Sequence, residues 1–135
     1  MEASNTAVPV AEPAVTPRWP RWLFRIASTV SAVMLFNQAV YAGQFLSGTY
    51  NSLHTHRENA TYAGISTLVT AVAALLLWRP GRGPRWPFLA CLGIFGLIAL
   101  QIMLGFARVV SLHVPLGVAI ILLGTLLTIW SWVRR

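Results

Sequence analysis

The chain has 135 residues, 56% of them hydrophobic and only 10% charged, with a mean hydropathy of +0.66. Soluble domains carry about a quarter charged residues, so that class is excluded. The net charge of +7 comes from ten arginines, most of them just outside the apolar runs. That is the placing of topology determinants, and without an aromatic-interleaved basic motif it excludes nucleic acid as a partner. The single cysteine, Cys91, lies inside an apolar run, where it has no intrachain disulfide partner and serves packing.

Residues 1–20 contain four prolines and no helical periodicity, which predicts a disordered cytoplasmic tail. The apolar run that follows is too long for a signal peptide. A four-helix transmembrane domain over 21–135 is then expected, with spans at about 22–47, 59–78, 86–107 and 110–133. Each approaches or exceeds the roughly 20 residues, rising about 1.5 Å apiece, that cross a hydrocarbon core. The second and third spans are joined by RPGRGPRWP (79–87), a Pro/Gly turn, and the third and fourth by a short link near Arg108. Links this short make neighbours antiparallel, so the fold class is an all-α integral membrane protein, an antiparallel up-down-up-down four-helix bundle. No internal repeat stands out, and no heptad is sustained.

Arg18, Arg21, Arg25, Arg79, Arg82, Arg85, Arg134 and Arg135 fall on one side of the spans, Arg57 and Arg108 on the other. This bias predicts a multi-pass protein of the plasma (cytoplasmic) membrane with both termini cytoplasmic, N-in/C-in. All six tryptophans lie at the same ends as the eight arginines, whereas His54, His56 and His113 fall at the outer face.

The stretch SLHTHRENATYAG (52–64) holds two of the three histidines and Glu58 in a chain with only three acidic residues. His56 precedes the second span and His113 opens the fourth, so the two imidazoles lie at matching depth. Facing imidazoles across a bundle can hold a haem iron from both sides, which makes His56 and His113 candidate metal ligands. Zinc or copper would recruit a third or fourth ligand. Residues two apart point to opposite sides of a helix, so one of His54 and His56 faces inward. Small residues at Ala60, Ala63, Thr67, Thr70 and Ala74 share the face of His56 and favour it. Gly117 and Gly124 continue the face of His113, leaving room either for a flat macrocycle or for close helix packing.

On the third span Gln101, Gly105 and Arg108 share a face; on the first, Asn37, Tyr41, Gln44 and Gly48 do. Arg108 and Arg57 are candidate partners for haem propionates; Gln101 and Gln44 are further candidate cofactor-binding residues, and the first-span amides, Gln44 among them, could orient a histidine through its second ring nitrogen. The plainer readings are arginines reaching headgroups and amides bonding neighbouring helices.

QIMLGFARVVSLHVPLG (101–117) resembles the third-to-fourth helix segment of one half of the haem A synthase family. LHTHR (53–57) is similar to that family's Glu-x-x-His-Arg motif, with His56 and Arg57 in its last two places. The resemblance implies a four-helix bundle and a b-type haem with His56 and His113 as axial ligands. Leu53 stands where the motif has glutamate, and this chain has one bundle where the family has two, so hydroxylating activity is not expected.

The function expected is a small haem b-binding, cytochrome b-like protein with bis-histidine ligation near the outer face, engaged in electron transfer or haem handling with a redox partner. The alternative is a cofactor-free accessory subunit of a larger membrane complex, and either form can oligomerise. The chain has no Asp and no complete catalytic constellation, and no acidic residue lies inside a span, which argues against a hydrolase or a transporter.

Overall fold

The computed structural model describes residues 17–134, and among them the only regular elements are four α-helices: α1 (Trp19–Leu46), α2 (Ser52–Trp78), α3 (Trp86–Phe106) and α4 (Val110–Val133). Most of the expected disordered tail lies outside the described residues, but its last two residues, Trp19 and Pro20, already belong to α1. Likewise α2 starts at Ser52, several residues before the expected second span, so the whole His54–Glu58 segment is helical. All four helices are long and apolar enough to cross a membrane.

Local sequence accounts for where the helices start and stop. Both α1 and α3 begin with Trp-Pro, and proline in the first turn supplies a preset φ where its missing N–H has no intrahelical partner. The α1–α2 turn, residues 47–51, reverses through Gly48 (φ 97°), and the α3–α4 turn puts Arg108 at φ 57°. In both turns a backbone bond reaches back to close the helix, Thr49 N–H to Gln44 O and Val109 N–H to Leu104 O. In the α2–α3 turn Gly83 lies against the last turn of α2: a Cβ there would stand 2.8 Å from the Leu77 carbonyl oxygen.

The helices form a ring in which α1 and α3 each touch both α2 and α4, while no Cα pair of α1 with α3, or of α2 with α4, comes within 8 Å. Phe24, Leu35, Ile94, Ile98, Ile120 and Leu127 fill the centre against the small residues Ala63, Ala71, Ala73 and Ala74 of α2. Two buried hydroxyl pairs cross between helices, Ser31–Thr67 at 3.0 Å and Ser28–Ser131 at 3.2 Å. The outer surface is apolar over much of its area, with Ile26, Val33, Phe36, Val69, Val72, Leu122 and Ile129 exposed. That inverts the ordinary soluble pattern and suits a lipid surround.

Burial also reveals an order that apolar similarity alone conceals. The inward stripe of α1, Phe24, Ser28, Ser31, Leu35 and Gln38, has the same spacing as Pro87, Cys91, Ile94, Ile98 and Gln101 on α3. On α2, His56, Ala63, Thr67, Thr70 and Ala74 match His113, Ile120, Gly124, Leu127 and Ser131 on α4. The two hairpins present equivalent inward registers, although their side chains differ too much for the chain to look repetitive.

Candidate functional site: a facing histidine pair

The site lies at the end of the bundle where α1 runs into α2 and α3 into α4. His56 on α2 and His113 on α4 are half-buried, and their ring centres are 6.1 Å apart with planes inclined at 60°. They are contributed by diagonal helices, which have no Cα pair within 8 Å, so the space between the rings lies toward the bundle axis.

Each imidazole is held by a glutamine of its own hairpin. His56 Nδ1 lies 3.1 Å from the Gln38 carbonyl oxygen, and Gln38 Nε2 donates to the His56 carbonyl oxygen at 3.2 Å. His113 Nδ1 lies 3.0 Å from the Gln101 carbonyl oxygen, and Gln101 Nε2 donates to the His113 carbonyl oxygen at 2.7 Å. A carbonyl oxygen only accepts, so both Nδ1 atoms carry a proton, and in the neutral imidazole Nε2 then keeps a lone pair for a ligand. Gly105 makes room for the second ring. A Cβ at that position would stand 3.1 Å from His113 Cε1 and 3.3 Å from Nδ1.

The other candidates divide. His54 is exposed and pairs with Glu58 at 3.4 Å, one turn along the outside of α2. Arg57 is exposed with its guanidinium 5.8 Å from the Phe106 ring centre, and Arg108 is exposed at the end of α3. Neither arginine forms an ion pair among the described residues. Gln101 is brought to the site and Gln44 is not: it is exposed and accepts from the Ser52 hydroxyl at 3.0 Å, fastening the α1–α2 turn. Six residues separate Gln44 from Gln38, which rotates it about 240° around α1. The residue with the role foreseen for Gln44 is therefore Gln38. Its signal was in the sequence, as the next member of the stripe through Phe24, Ser28, Ser31 and Leu35 and as an amide within an apolar run.

The room expected beneath His113 is taken by packing. A Cβ on Gly117 would stand 2.8 Å from Gln101 Nε2, and one on Gly124 would stand 2.6 Å from Leu35 Cδ1. The small residues thus admit neighbouring side chains, and the place for a ligand is the level of the histidines themselves. One polar atom there is left without a partner among the described residues, the buried Oε1 of Gln101.

The donor set narrows the chemistry. No group of three or more His, Cys, Asp or Glu side chains occurs among the described residues, so they offer no multidentate zinc or copper site. Two imidazoles suffice where the ligand brings the remaining donors, as a porphyrin does. Comparison with protein-family models, with curated proteins and with solved structures gives no match to this chain.

Proposed function

We propose that this protein is a small membrane cytochrome b that binds one haem b between His56 and His113 and serves one-electron transfer or haem handling. The observation that carries the reading is the ring separation of 6.1 Å between two imidazoles whose Nδ1 atoms are already engaged. Imidazoles on opposite sides of one metal place their ring centres about 6.4 Å apart, with metal–nitrogen bonds of about 2.0–2.1 Å and each nitrogen about 1.1–1.2 Å from its ring centre. The angle between the planes is free in such a pair, so 60° is acceptable.

When bound, the haem would supply a one-electron couple, with His56 and His113 as the residues that would hold it. The residues of the chain do the rest. His56 and His113 would hold the group, the Gln38 and Gln101 carbonyls orient the rings, and Arg57 and Arg108 would balance the propionate charges at the same end of the bundle. The unpartnered Gln101 Oε1 calls for a donor at this level, which a water held beside a propionate would provide. The resemblance to one half of the haem A synthase family supports the same ligands, and Leu53 in the place of the motif glutamate argues for a carrier over an oxidising enzyme.

The arginine bias supports an orientation with both termini cytoplasmic and the histidines at the outer face. Pyridine haemochrome analysis of protein purified from haem-replete cells tests the proposal. One haem b per chain is expected. A well-folded, colourless protein would overturn it and leave the cofactor-free accessory subunit.

A further inference from the structure

We propose that Gln38 and Gln101 are an equivalent pair of positioning residues, each fixing one histidine in its Nδ1–H form and so leaving Nε2 as the ligating atom. The role assigned to Nε2 rests on the haem reading; the tautomer does not.

The inference stands on the same two-bond pattern appearing twice. In both hairpins the glutamine carbonyl accepts from the histidine ring, and the glutamine side-chain amide donates to the histidine's own carbonyl oxygen. The loop between the partners differs, since 18 residues separate Gln38 from His56 and 12 separate Gln101 from His113. Equal chemistry across unequal loops is therefore not a by-product of one turn type. The matched burial registers of α1 with α3 and of α2 with α4 place the clasps at equivalent points. No Cα pair of α2 with α4 comes within 8 Å, and the two clasped imidazoles lie across that gap with ring centres 6.1 Å apart. A ligand held there would meet an imidazole clasped in the same way from either side.

Each half of a clasp has a separate physical task. The carbonyl draws on the Nδ1 proton, which raises the basicity of Nε2 and would favour the oxidised state of a bound iron. The side-chain amide pins the glutamine helix to the histidine helix, so the carbonyl stays where the ring needs it. A hydrophobic side chain at either glutamine keeps the carbonyl but loses the pin.

The test is nitrogen-15 NMR of histidine-labelled protein in the dithionite-reduced, diamagnetic state, on wild type, Gln38→Leu, Gln101→Leu and the control Gln44→Leu. Wild type is expected to show Nδ1–H signals from both His56 and His113. Gln38→Leu should weaken or broaden the His56 signal alone and Gln101→Leu the His113 signal alone, with the midpoint potential rising in both. Gln44→Leu removes an amide from the same hairpin and should move neither readout. An Nε2–H tautomer at either histidine in wild type would overturn the inference. So would unchanged ring signals and potential in both clasp variants. The wild-type tautomer can overturn the inference even if a variant does not fold. It can be read in protein that contains no haem, so failure of the haem reading and failure of this one give different results.

Discussion

Gly105 and His113 are in direct contact across the α3–α4 hairpin, so closely that a methyl group on Gly105 would stand 3.1 Å from the imidazole Cε1. Gly105→Ala should therefore press the ring out of place. Overpacking of this kind costs about 1–3 kcal/mol. The expected outcome is a lower unfolding midpoint in detergent together with a high-spin component in the spectrum. Gly93 and Gly96 are the controls, because nothing lies within 4 Å of a Cβ at either position. Alanine there should stabilise by up to about 0.8–1.0 kcal/mol through helix propensity and leave the spectrum unchanged.

Arg108 occupies a left-handed backbone position, φ 57°, that glycine fills without steric cost. Arg108→Gly should stabilise the haem-free protein by about 1–2 kcal/mol. The same change removes a guanidinium from the histidine end and should speed haem loss to a scavenging apoprotein. Opposite signs for the two readouts would show that the arginine is kept for its charge. If haem is retained equally well, Arg108 has no part in propionate binding.

Thr67 links α2 to α1 through the 3.0 Å bond with Ser31, while Thr125 on α4 is exposed and bonds only to the Ile121 carbonyl of its own helix. Thr67→Val leaves the buried Ser31 hydroxyl without its partner and should cost about 0.6–1.7 kcal/mol, the range found for such bonds between membrane helices. Thr125→Val should be close to neutral. Unfolding titrations in mixed micelles compare the two.

His54 tests whether the outer histidines act as a group. Its side chain is 78% exposed, and its ion-pair partner among the described residues is Glu58. Surface pairs of this kind are worth little, so His54→Ala should change stability by less than about 0.5 kcal/mol and leave haem content intact. Loss of haem in this variant would assign the ligand to the wrong face of α2.

Four helices, their antiparallel order and the inward turn of His56 were all legible in the sequence, because apolar run length and helical phase are properties of the chain itself. The early start of α2 was not. SLHTHREN is too polar to read as part of a span, yet it continues the helix once Gln44 accepts from Ser52 and Gln38 clasps His56. The small stripe on α4 gave an ambiguous signal, since glycine serves a ligand cavity and a neighbouring side chain equally well; only the placing of Leu35 and of the Gln101 amide resolves it. Gln38 was missed because adjacent amides, Asn37 and Gln38, point to different sides of α1. The face through Asn37 continued into other polar groups and drew the attention. The equivalence of the hairpins stayed hidden for a related reason: Ser28 matches Cys91 and Thr67 matches Gly124 in position but not in side chain.

The most direct test of the account is the absorption spectrum of the purified protein, oxidised and dithionite-reduced, beside His56→Ala and His113→Ala. The account predicts a sharp low-spin b-type spectrum in wild type that is lost or turned high-spin in both variants, with the reduced bands restored by added imidazole. A wild-type spectrum that survives either substitution, or a folded protein with no haem bands, would contradict it.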